Sequence, residues 1–168
     1  NEQEILRLFK ERAIPYLDFL PESDWDWLAL GQHHGLPTRL LDWTRNPLVA
    51  CFFAVIKETK EDSLIYAYNN RFYISVKKHP NPFEYKKIGK FIPRHITTRI
   101  SAQSGVFTYH PNPYKSFSSE NIEKIIIPNN FRPELKKTLS KYGINQSTLF
   151  PGLDGLAEHI KWLRSTDH

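Results

Sequence analysis

Trp27-Leu-Ala-Leu-Gly-Gln-His-His-Gly-Leu-Pro-Thr-Arg-Leu-Leu-Asp-Trp-Thr44 changes conformation within one short stretch, and its reading decides the fold. The first half continues a helix that starts at Ser23, an N-cap followed by Asp24 and Asp26, whose charges suit the positive end of the helix dipole. Gly35 is a natural residue just past a helix end, and Pro37 blocks continuation. Thr38 to Trp43 follows that stop and is short, which predicts a strand. Asn46-Pro47 then restarts a helix, with a capping side chain and a proline whose missing N–H costs nothing there. That helix, Leu48 to Lys57, is apolar all round, so it is expected at the centre of the core.

Outward from this stretch, residues 2–14 read as a helix with Ile5, Leu8, Phe9 and Arg12 on one stripe, ended by Pro15. Downstream, strands are predicted at 63–68, 72–76, 106–110 and 122–127, with a long basic loop from Lys77 to Pro93. Pro133 to Tyr142 reads as a helix followed by Gly143. A last helix is predicted, capped by Asp154, with Leu156, Ile160 and Leu163 as its buried stripe. The pattern predicts one α+β domain over residues 1–168, with a central, mainly antiparallel sheet of about four or five strands and helices around it.

The 168 residues suit a single core. One cysteine, Cys51, excludes an internal disulfide and fits a reducing, cytoplasmic compartment. The longest apolar run, Leu48 to Ile56, is far short of the roughly 20 residues a membrane span needs, so no membrane partner is expected. The opening Asn1-Glu-Gln-Glu does not resemble a signal peptide, and the chain contains no Met. Formal charge is +5, unevenly spread. Arg71, Lys77, Lys78, Lys86, Lys87, Lys90, Arg94 and Arg99 stand against the single acid Glu84, so this segment carries +7 and the rest −2. Such a run is a solvated surface or a face for phosphate, as in nucleotide or nucleic acid.

The quoted stretch gathers Gln32, His33, His34, Thr38, Arg39, Asp42, Trp43, Thr44 and Arg45 between two apolar helices. Polar groups placed there either satisfy one another or converge on a ligand, because an unpaired one costs about 1–3 kcal/mol. Zinc is not expected: His33 and His34 lack further partners, and neighbours on a helix point about 100° apart. Cys51 shares a stripe with Leu48, Phe52 and Val55 and reads as a small buried hydrophobe. His79, His95 and His110 read as loop or surface residues. Most of the tryptophans read as core.

Trp27 to Ala54 closely resembles the central signature of the FRG domain family, and Arg99-Ile-Ser-Ala-Gln-Ser-Gly-Val-Phe-Thr108 and Ser147-Thr-Leu-Phe-Pro-Gly-Leu-Asp-Gly-Leu156 continue the resemblance. The Phe-Arg-Gly tripeptide that names the family does not occur here. The resemblance therefore implies that a preceding segment has been lost, cleaved or left out, and that it or a partner chain completes the fold. The family layout is distantly similar to ADP-ribosyltransferases. That similarity implies NAD as substrate, Thr44 and Gln103 at the catalytic positions, and Arg39 or Arg45 on phosphate. Gln103 stands where those enzymes carry a carboxylate, and an amide cannot supply that charge. The resemblance thus supports a nucleotide pocket better than transfer. The alternative is a non-enzymatic nucleotide or nucleic-acid module using the 71–99 segment.

Arg39 and Asp42 are three apart, so on a regular strand their side chains leave opposite faces. Arg39 is expected to share a cleft with His34 and Gln103. Asp42 is expected at the start of the Asn46 helix.

Overall fold

The computed structural model describes residues 2–94 and 97–165; His95 lies outside them. In chain order the regular elements are α1 (Glu2–Ala13), α2 (Asp24–His33), β1 (Leu40–Thr44), α3 (Pro47–Val55), β2 (Ser63–Tyr68), β3 (Gly89–Phe91), α4 (Thr98–Ala102), β4 (Gly105–Tyr109), β5 (Ile122–Ile127), α5 (Arg132–Lys141), α6 (Gln146–Leu149) and α7 (Leu153–Ser165). The α+β class is as expected. The five strands, however, form two sheets rather than one: β1-β4-β3 and β2-β5. The chain divides into two compact units. One comprises residues 1–43, 70–96 and 106–117, and the other 44–69, 97–105 and 118–168.

In the first unit, Ser23 caps α2 as predicted, its hydroxyl oxygen accepting the Asp26 N–H. Gly35 follows the helix end at φ 88°, a conformation that favours glycine. Trp25 is fully buried at the centre of this core. Its ring lies 4.9 Å from that of Tyr109, 5.2 Å from Phe91 and 6.0 Å from Tyr85. Its indole N–H, which needs a partner once buried, donates to the His79 carbonyl at 2.7 Å. Residues 72–76, predicted as a strand, make only a bridge from Tyr73 to Lys90. The strand is instead β3, inside the segment predicted as a loop, antiparallel to β4 with Gly89 opposite Tyr109. A side chain at Gly89 would collide with Ile74 and Phe72, so the loop is held against this strand at glycine's distance.

In the second unit, β2 and β5 pair antiparallel over their full length, from Ser63 opposite Ile127 to Tyr68 opposite Ile122. Asn46 caps α3 as predicted, accepting the Leu48 N–H at 2.9 Å. The core joins Val49, Phe52 and Val55 of α3 to Ile127, Leu139 and Leu149. α3 is nevertheless not buried all round: Leu48 and Phe53 are exposed, and Cys51 is half-buried. The largest departure is α7. Leu156, Ile160 and Leu163, expected as its buried stripe, are exposed, and Gly155 is the residue it buries. Asp154 lies inside its first turn rather than capping it.

Candidate functional site

Most polar side chains of the 32–44 stretch lie in the first unit and engage one another. The Thr38 hydroxyl donates to Gln32 Oε1 at 2.7 Å and accepts the Leu40 N–H at 3.1 Å. The Gln32 amide donates in turn to Asp42 Oδ2 at 2.7 Å. This chain ties the end of α2 to the start of β1. Asp42 is exposed and serves Gln32, not the Asn46 helix, which is already capped by Asn46 itself. The His33 and His34 rings meet edge to face at 5.0 Å, and His34 is exposed.

Arg39 is tied on several sides. Glu2 Oε1 accepts its backbone N–H and Glu2 Oε2 its Nε–H. Its Nη1 donates to the Tyr109 hydroxyl at 3.0 Å, and its guanidinium carbon stands 4.7 Å from the Phe83 ring centroid. Burial disfavours the charge, but the bonds to Tyr109 and Glu2 outweigh it and leave the guanidinium above its ordinary pKa. Arg39 is thus a strut between β1, α1 and β4.

Sequence reading missed the partners of Trp43. Its indole N–H donates to Thr108 Oγ1 at 2.8 Å, and Thr108 Oγ1 lies 2.8 Å from His110 Nε2. An indole only donates, so the threonine oxygen accepts from Trp43 and its proton is free for the imidazole. Expected at the surface, His110 is 8% exposed, and burial lowers its pKa. His79 is exposed as expected. The one available signal was the unbroken run Val106-Phe107-Thr108-Tyr109, which is buried on both faces.

Thr44, Arg45 and Gln103 belong to the second unit. Thr44 Oγ1 donates to the Gln103 carbonyl at 2.7 Å and accepts the Asn46 N–H at 3.0 Å. Gln103 follows α4 as its C-cap, and its amide N–H₂ donates to the Leu149 carbonyl at 2.9 Å. Ser104 next to it takes a positive φ of 51°, uncommon outside glycine, and its carbonyl accepts the Arg45 N–H. The structure therefore brings Thr44 and Gln103 together, as the resemblance implied. It does so through a carbonyl, with the Gln103 amide occupied elsewhere. The Arg45 side chain is exposed.

Of the eight predicted basic residues, Arg99 lies in the second unit, its guanidinium 4.5 Å from the Phe150 ring centroid. Arg94 pairs with Glu22 at 3.0 Å, and Lys90 lies over the Tyr73 ring at 4.4 Å. Arg71, Lys77, Lys78, Lys86 and Lys87 are exposed in the first unit and, among the described residues, take part in no ion pair. Phe72, Tyr73 and Ile88 beside them are exposed as well. Among the described residues no cluster of three or more His, Cys, Asp or Glu is placed to hold a metal, and no helix is long and apolar enough to cross a membrane. Burial raises the Cys51 thiol pKa, which works against a nucleophilic role.

The family model of the FRG domain matches residues 1–63. The resemblance carried by Trp27 to Ala54 is borne out there, over the elements from α1 to the first residue of β2. The match does not extend to the 99–108 and 147–156 segments. No curated protein and no solved structure matches the chain.

Proposed function

We propose that this chain is an FRG-type binding module that holds nucleic acid through the phosphate backbone, without catalysing a reaction. The observation that supports this reading is the set of exposed, unpaired cations Arg71, Lys77, Lys78, Lys86 and Lys87 beside the exposed rings of Phe72 and Tyr73. Cations that are already paired within the protein must give up a partner to meet phosphate; among the described residues these have none to give up. Rings standing among them offer stacking surfaces to bases, which is how single strands are held without sequence readout. The signature between Gln32 and Trp43 is then the scaffold, since its donors and acceptors are largely spent on one another.

The competing reading is NAD-consuming ADP-ribosyl transfer around Thr44 and Gln103. It needs a carboxylate to stabilise the developing oxocarbenium, and Gln103 supplies an amide that is already bonded to Leu149. Two measurements on the full chain separate the readings. Anisotropy of a labelled single-stranded oligonucleotide is expected to show binding that weakens linearly in log salt. Incubation with NAD is expected to release no nicotinamide. Nicotinamide release without oligonucleotide binding would reverse the assignment.

A further inference from the structure

Helix α7 is turned the opposite way from its leucines. Leu153, Leu156, Ile160 and Leu163 are exposed, whereas Gly155, His159 and Trp162, one helical face at i, i+4 and i+7, are the less exposed positions. Gly155 fixes this rotation, because a side chain there would overlap the Phe150 carbonyl oxygen. A helix that turns its imidazole and indole inward in place of four aliphatic residues needs a reason on the inner side. That side holds a pocket of about 180 Å³ within the second unit, lined among others by Phe52, Ile56, Lys136, Glu158, His159 and Trp162.

The walls differ in chemistry. His159 and Trp162 stack at 5.8 Å with an interplanar angle of 23°, and Phe52 and Ile56 make an apolar side. Lys136 is the cation of the lining. Its Nζ lies 5.2 Å from the Trp162 ring centroid and 3.4 Å from the Ile56 carbonyl, leaving ammonium protons for a further acceptor. Glu158 is engaged by Lys161 at 2.7 Å. For scale, a cavity on the order of 150 Å³ holds one benzene ring.

We propose that this pocket binds a small aromatic carboxylate, with the ring between the Trp162–His159 wall and Phe52 and the carboxylate on the Lys136 ammonium. A single lysine with Glu158 nearby favours a monoanion over a phosphate dianion. This site shares no residue with the nucleic-acid reading, and either can fail without the other.

Benzoate is the probe, titrated into the ¹⁵N-labelled full chain, with benzyl alcohol and inorganic phosphate as comparisons. The expected result is saturable shifts of the Trp162 indole N–H with benzoate alone. Lys136→Gln should weaken them roughly tenfold or more through loss of a charge-assisted bond. Absence of saturable shifts, equal binding of benzyl alcohol, equal binding of phosphate, or an unchanged affinity in folded Lys136→Gln would each overturn the proposal. If Lys136→Gln does not fold, the selectivity of the unsubstituted protein for benzoate over benzyl alcohol and phosphate decides alone.

Discussion

Glu2 grips Arg39 with both carboxylate oxygens, one on the backbone N–H and one on Nε, each at 2.8 Å. The two side chains are only 15% and 14% exposed, so this pair is screened less than a surface ion pair. Replacing Arg39 by Ala takes the cation and the Nε–H from the Glu2 carboxylate, which keeps only the backbone N–H, and removes a donor from Tyr109. We expect a loss of about 2 kcal/mol in urea melts, the range for a charged hydrogen bond in partial burial. Oligonucleotide affinity should stay within a factor of about two, since Arg39 faces protein and not solvent. An Arg39→Ala variant that melts like the parent but no longer binds would contradict this assignment.

His110 predicts a pH dependence of stability. Its folded-state pKa is depressed by burial below the ordinary value of 6.5. Below pH 6.5 the unfolded chain therefore binds a proton at this position that the folded chain does not. Stability must then fall as pH drops from about 6.5 toward the depressed folded-state value, and be fully present above 6.5. Denaturant midpoints measured from pH 8 to pH 5 should decline, and the decline should be shallower in His110→Asn. An identical slope in the two proteins would mean that His110 titrates alike in the folded and unfolded chain.

The second unit offers a contrast between two aliphatic residues. Leu149 is 2% exposed among Val49, Phe52 and Ile127, and Ile160 is 50% exposed. Leu149→Ala should cost about 2–5 kcal/mol, whereas Ile160→Ala should cost less than about 1 kcal/mol. Thermal melts of the two variants compare them directly. Equal costs would mean that the outer face of α7 is covered.

That contrast also marks where sequence reading stopped. Local stops and starts were legible: Ser23 and Asn46 cap helices, Gly35 and Gly143 take positive φ, and β2 and β5 fall at 63–68 and 122–127 as expected. The caps and the glycine stops depend on residues within one turn of the chain. The face that α7 buries depends instead on its fit to Phe150, and periodicity does not encode that fit. β3 was hidden because Gly89, Lys90 and Phe91 are too few to establish a period and sit in a basic run. The signature was legible as a polar cluster, with the choice between self-satisfaction and ligand binding left open. What closes Arg39 and Trp43 lies far along the chain: Glu2 is 37 residues from Arg39, Tyr109 is 70, and Thr108 is 65 from Trp43.

The nucleic-acid reading makes a quantitative prediction at Lys77, Lys78, Lys86 and Lys87. All four are exposed and outside any ion pair among the described residues, so converting them to Gln removes charge without breaking a bond within the protein. Surface changes of that kind shift stability by roughly 0.5 kcal/mol or less each. If each lysine neutralises one phosphate of a single strand, the slope of log affinity against log salt should become shallower by about 0.7 per residue replaced. The quadruple variant should therefore lose nearly three units of slope, with its urea midpoint close to that of the parent. Arg94→Gln is the internal comparison. Arg94 already pairs with Glu22, so its replacement should change the slope by less than any one of the four. Anisotropy titrations from low to moderate salt measure all of these slopes. A quadruple variant with the slope of the parent would show that the phosphates are held elsewhere.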